Sequence, residues 1–159
     1  MRWLRTTAPG FTFIELVVAT AVMLILASAA LPLVRVSIRR QREIELKNDL
    51  RVMRAAIDKF KDYADNSRIA QTELQFGSEN YPTSLQQLVD GVALANDASG
   101  RKMKFLRRIP IDPITGTQDW GLRSYQDLPT ATTWGGQSVY DVYTKSDGKG
   151  LDGTKYKDW

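Results

Sequence analysis

The 159-residue chain contains neither cysteine nor histidine. Disulfides, thiol nucleophiles, imidazole acid–base groups and any His- or Cys-ligated metal are thereby excluded. The lack of cysteine does not place the chain in a reducing compartment, because an oxidising one permits disulfides without demanding them. Hydroxyls, amines and carboxylates remain for chemistry, and among metals this inventory suits hard cations such as calcium. There is little excess of either charge: 22 Lys and Arg stand against 18 Asp and Glu, a net of +4. That balance gives no argument for nucleic acid or anionic lipid as a partner. A chain of this length holds one globular domain at most.

One stretch lacks charge altogether. Residues 16–34 are nineteen in a row without an ionisable side chain, and Glu15 stands directly before them. At about 1.5 Å per residue, an apolar helix of that length just crosses a hydrocarbon core of roughly 30 Å. A membrane span is the leading reading, and a buried core helix is the alternative. An ionised carboxylate one turn into such a helix costs roughly 2.5–3.5 kcal/mol even on gentle insertion scales, so Glu15 calls for a partner. No cation follows it within the span. A cut between Gly10 and Phe11 would create an α-amino group four residues away, or on a neighbouring copy.

The segment Gly10-Phe11-Thr12-Phe13-Ile14-Glu15-Leu16 resembles the class III signal of type IV pilins and type II secretion pseudopilins. The resemblance implies that a membrane-embedded peptidase cuts after Gly10 and N-methylates Phe11. It also implies that Glu15 is the acidic residue that helps subunits enter a filament. Pro32 falls where many family members carry a proline, and a proline inside a helix removes a donor and kinks the chain. Removing residues 1–10 takes Arg2 and Arg5 with it and leaves a net charge of +2. The apolar stretch follows the expected cut, unlike that of an ordinary secretory signal. Arg35, Arg39, Arg40 and Arg42 outnumber Arg2 and Arg5, so the charge rule by itself favours a cytoplasmic C-terminal side. The resemblance implies the opposite orientation.

Beyond the span, Leu46, Leu50, Met53, Ile57, Phe60 and Ala64 recur at alternating spacings of four and three. That is one apolar stripe on a continuing helix, predicted to run from near Phe11 to near Tyr63 over about 80 Å. A coiled-coil partner is the alternative cover for the stripe. Arg54 and Asp58 are spaced as an i, i+4 pair on the opposite side. Residues 66–80 read as a polar loop. Ser84 with Gln87 fits a capping box for a short helix that ends at Gly91, and residues 96–100 read as a turn. Residues 101–108 hold five cations, which read either as a site for an anionic partner or as a solvated face. The two prolines of 109–113 bar a central strand and predict a rigid connector. Residues 122–125 and 138–144 read as strands of a small antiparallel sheet, with a loop carrying Trp134 between them.

The C-terminal stretch is rich in glycine and places Asp147-Gly148 and Asp152-Gly153 five residues apart. Such a loop can turn carbonyls and carboxylates onto calcium; plain Asp-Gly turns are the alternative. It is not an EF-hand, since that spacing and its closing glutamate are missing. The segments 81–83, 106–113 and 140–148 extend the resemblance to the major pseudopilin of type II secretion, whose C-terminal loop binds calcium. This implies Asp147 and Asp152 as ligands. Ile114-Thr115-Gly116 departs from the family's usual Trp-Gly-Asn, and four lysines lie between positions 145 and 157.

The expected fold is α+β, a long N-terminal transmembrane-plus-amphipathic helix packed on a small antiparallel sheet. Its parts are a leader (1–10), a transmembrane half (11–34), an amphipathic half (35–65) and a periplasmic head (66–159). The resemblance implies a non-enzymatic subunit of a type II secretion pseudopilus, held in the inner membrane with its N-terminus cytoplasmic before assembly. Its implied partners are copies of itself, minor pseudopilins, prepilin peptidase, the inner-membrane assembly platform and membrane lipid, with no nucleic acid. Calcium is the implied ion. A type IV pilin and a tethered binding domain that never assembles are the rival readings.

Overall fold

In the computed structural model of the chain, the described residues are 10–95, 97 and 100–159; the side chains of 29–33 within the first helix are not described. The fold is α+β with a long N-terminal helix and small antiparallel sheets. The helix, α1, spans Phe13–Asp65. By its internal contacts the chain divides between Arg39 and Arg40 into two units. The expected leader lies outside the described residues apart from Gly10. Pro32 belongs to the helical backbone of α1, but its side chain and the kink expected there fall among residues 29–33.

Among the described residues, no helix is long and apolar enough to cross a membrane. The transmembrane half expected over 11–34 is therefore not among the elements found, and 29–33 lie within that run. In this first unit the helix carries bare apolar side chains. Phe13 is 82% exposed and Leu24 71%. Its hydroxyls turn inward on the backbone: Thr20 Oγ1 donates to the carbonyls of Leu16 and Val17 at 3.0 and 2.9 Å, and Ser28 Oγ to that of Ile25 at 2.7 Å. Such bonds satisfy the hydroxyls without a partner outside the helix.

The second unit is built on the predicted stripe. Leu46, Leu50, Met53, Ile57, Phe60 and Ala64 are all buried, and Ala56 joins them. Full burial of a side chain such as Phe60 contributes about 1.5–3 kcal/mol, which is why this half of α1 organises the core. Opposite it lie Leu88, Val92, Leu106, Trp120, Val139, Val142 and Tyr156. Helix α2, Leu85–Asp90, begins with Ser84 Oγ accepting from the Gln87 amide and ends at Gly91, whose φ of 81° suits glycine. The expected capping box is modified, because the Gln87 side chain accepts from the amide of Thr83 rather than of Ser84.

Among the described residues, four short strands form two separate two-stranded sheets rather than the single sheet expected. Strands β3 (Gly121–Arg123) and β4 (Asp141–Tyr143) pair antiparallel, with Leu122 opposite Val142, at the two segments read as strands. Strands β1 (Val92–Ala93) and β2 (Lys102–Met103) pair as well, although their sequence carries no clear period. The turn expected between them at 96–100 lies largely outside the described residues. No strand is assigned to the proline connector 109–113. It is held by Trp120 Nε1, which donates to the Pro110 carbonyl at 3.0 Å.

Candidate functional site

Glu15 sits in the first turn of α1, where a carboxylate also suits the positive end of the helix dipole. Its Oε2 accepts from the Thr12 amide at 3.3 Å and the Thr12 hydroxyl at 3.4 Å, while its own amide donates to Thr12 Oγ1 at 3.3 Å. This is a reciprocal capping box. Glu15 therefore has a hydrogen-bonding partner within the chain, three residues back, and Thr-x-x-Glu is its signal in the sequence. The capping box satisfies hydrogen bonds and supplies no positive charge. Gly10 and Phe11 are exposed, and a Cβ at Gly10 would meet nothing within 4 Å. No steric demand of the fold fixes a glycine there.

In the second unit, the C-terminal segment is anchored to α1 at two points. Glu43, only 9% exposed, accepts from the Leu151 amide at 2.9 Å and from the Tyr156 hydroxyl at 2.8 Å. Glu43 lies three residues before Leu46, one step along the same alternation of three and four, so it occupies the apolar stripe with a carboxylate. That register was the signal for it in the sequence. The second anchor is Arg54. Rather than pairing with Asp58, its guanidinium donates to Asp141 Oδ1 at 2.7 Å, to the Val142 carbonyl at 3.1 Å and to the Trp159 main-chain oxygen at 2.7 Å. The fork geometry of arginine makes three such bonds possible at once. The Lys47 ammonium lies 4.0 Å from the centroid of the Trp159 ring, and Tyr156 meets that ring edge-on at 4.9 Å.

The two expected calcium ligands hold different partners. The Asp147 carboxylate is 94% exposed and 3.6 Å from Lys157 Nζ. Asp152 accepts from the Thr154 amide at 2.9 Å and the Thr154 hydroxyl at 2.6 Å, which holds its carboxyl below the ordinary range. The carbonyls of Gly148 and Gly150 accept from Tyr156 and Gly153. Oxygen donors of the right chemistry are present, and among the described residues no group of three or more His, Cys, Asp or Glu converges.

Asp112 is fully buried in the connector, a role that the rigid-segment reading of 109–113 does not carry. Its carboxylate accepts from the Ile114 amide at 2.8 Å and from the Thr144 hydroxyl, tying the connector to the end of β4. Nearby Asp49 is pushed above the usual carboxylate range, first by burial and then by the negative charges of Glu45 and Asp112, against the opposing pull of Arg108. These contacts build the core edge and bring no nucleophile–base pair together.

The class these features define is an α+β chain with a bare apolar N-terminal helix and a loop-rich unit anchored on its second half. No protein-family model matches the chain, and no curated protein or solved structure matches it.

Proposed function

We propose that the chain is a structural subunit of a filament of the type II secretion pseudopilus kind, cut after Gly10 and assembled through its N-terminal helix. The observation that carries the reading is the helix surface after Glu15: large apolar side chains stand uncovered, and the hydroxyls among them bond back to the helix itself. Such a surface calls for an apolar cover, which lipid or like helices supply. The inner membrane is the proposed place before assembly and a periplasmic filament the place after it. The implied partners are the peptidase, the assembly platform, minor subunits and further copies. Glu15 supplies a charge that a new α-amino group on Phe11 would neutralise. A type IV pilus subunit shares these N-terminal features and is the second reading; a tethered domain that never assembles is the third.

Glu15→Gln separates capping from charge. Glutamine preserves the capping box but removes the carboxylate. The variant is expected to insert and be cut normally while its filaments disappear. Filaments at the wild-type level would reduce Glu15 to a helix cap.

A further inference from the structure

Two surfaces of the second unit have opposite chemistry. On the first, Tyr81 and Tyr125 stack at 5.9 Å with 18° between their planes, and Tyr140 meets both edge-on at 5.2 and 5.4 Å. Tyr125 is 58% exposed and Tyr140 45%, with Leu128 beside them in the sequence at 73%. The loop that presents them is built rather than loose. Asp127 accepts from the amides of Ser124 and Gly135, Trp134 Nε1 donates to the Ser138 carbonyl, and the Tyr143 hydroxyl donates to that of Thr132. Apolar rings held open by their own scaffold mark an interaction surface.

A cleft of about 470 Å³ beside Tyr140 is lined by Arg54 and Arg123 but also by Asp58, Asp127 and Asp141. It carries a small excess of acid, three carboxylates against two guanidiniums, while the Lys61 ammonium, paired with Asp65, lies 5.2 Å from the Tyr81 centroid. Both arginines bind Asp141. Asp58 makes no hydrogen bond or ion pair among the described residues, and the Tyr81 hydroxyl is pushed up first by burial and then by neighbouring groups that include Asp58. The second surface is the basic segment at β2. Lys102, Lys104 and Arg107 are exposed and make no ion pair among the described residues. Phe105, edge-on to Phe60 and Tyr63 at 5.4 and 5.5 Å, fastens the chain beneath them.

We propose that the tyrosine cluster and acidic cleft of one copy receive the basic segment of the next. The Lys102 and Lys104 ammoniums lie over the exposed rings, where cation–π attraction is available, and Asp58 and Asp127 are their counter-charges. The occupant is a second copy because this chain carries both complementary halves. Two different surfaces meeting make a head-to-tail contact, which need not close on itself and so extends a filament. The inference rests on the filament reading and adds a contact to it outside the N-terminal helix.

The chain's lack of cysteine makes the test clean, since introduced thiols are the only ones present. Two full-length forms with tags of different size, one Lys104→Cys and the other Leu128→Cys, are expressed together and oxidised in the membrane. A parallel pair carries Val18→Cys in both forms to report helix packing. The expected result is a mixed dimer, disulfide-linked from position 104 of one form to position 128 of the other, that falls several-fold when Lys102→Glu is added to the first form. It returns when Asp58→Lys is added to the second. Val18→Cys dimers without the mixed dimer overturn this contact and leave the filament standing. Absence of both overturns both. Leu128→Cys homodimers as abundant as the mixed species mean a symmetric contact and overturn the head-to-tail arrangement.

Discussion

The Tyr156 hydroxyl donates to Glu43 at 2.8 Å, joining residues 113 positions apart in the chain. Glu43 also takes the Leu151 amide, so one buried carboxylate on α1 satisfies two donors of the C-terminal segment. The same segment is held at Trp159 by Arg54. Two charged residues of one helix thus fix a glycine-rich stretch whose Tyr156 and Trp159 rings also pack on the core.

Removing the first anchor is expected to be costly. Glu43→Ala removes this acceptor from the buried Tyr156 hydroxyl, at about 1–3 kcal/mol, and from the Leu151 amide at less cost, since Leu151 is 42% exposed. Tyr156→Phe removes only one donor and is expected to cost less. Chemical denaturation of the full chain in detergent, read by Trp fluorescence, checks the order; equal stability of Glu43→Ala and wild type would contradict it.

Arg54→Lys tests the fork. An ammonium on a flexible stem cannot hold Asp141, Val142 and Trp159 in the same geometry. Losing charge-assisted bonds of this kind costs about 1.5–3 kcal/mol, reduced here because the side chain is 36% exposed. Faster proteolysis near residue 159 in Arg54→Lys is the expected sign, and an unchanged cleavage pattern would count against the anchor.

Calcium at the C-terminal loop is a separate proposal with a visible cost. An ion shared by Asp147 and Asp152 has to draw one from Lys157 and the other from Thr154. It predicts a higher melting midpoint with calcium than with chelator, because a ligand that binds only the folded state stabilises it. Loss of that difference in Asp147→Asn with Asp152→Asn would confirm the ligands. An unchanged midpoint in the wild type would leave Glu43 and Arg54 as the loop's anchors and the two aspartates as turn residues.

The aromatic loop has its own pH dependence. Hydrogen bonds from the Ser124 and Gly135 amides hold the Asp127 carboxyl below its ordinary value. A lowered folded-state pKa contributes stability that is complete above the ordinary carboxylate value and is lost as pH falls through the folded one. The amide resonances of Ser124 and Gly135 are therefore expected to shift together only below the usual aspartate range. Asp127→Asn should abolish that titration, and a shift centred at or above the ordinary value would contradict the assignment.

The stripe from Leu46 to Ala64 was legible because burial on one helix face imposes a period on the sequence. The short helix at 85–90 was legible because its cap and stop are local chemistry. Strands of two or three residues, as in β1 and β2, are too short to show a period, so the division into two sheets was not. Arg54 escaped for another reason: the i, i+4 rule offered Asp58, and tertiary contacts with Asp141 and Trp159 outweighed it. Glu43 was readable in principle as a carboxylate on the apolar stripe, but its partners lie more than a hundred residues away. Thr12 caps Glu15 through a local Thr-x-x-Glu pattern, which the charge argument for Glu15 does not contain.

The central proposal is a processed subunit, and intact-mass spectrometry of the full-length chain recovered from membranes tests it most directly. Gly10→Ala is the matched control, since a methyl group there meets open space and leaves the fold alone. Wild-type material that begins at Phe11 with an added methyl group, beside a Gly10→Ala form that keeps residues 1–10, is the predicted result. Wild-type protein that retains those residues while assembled and functioning would contradict it and leave a tethered domain in its place.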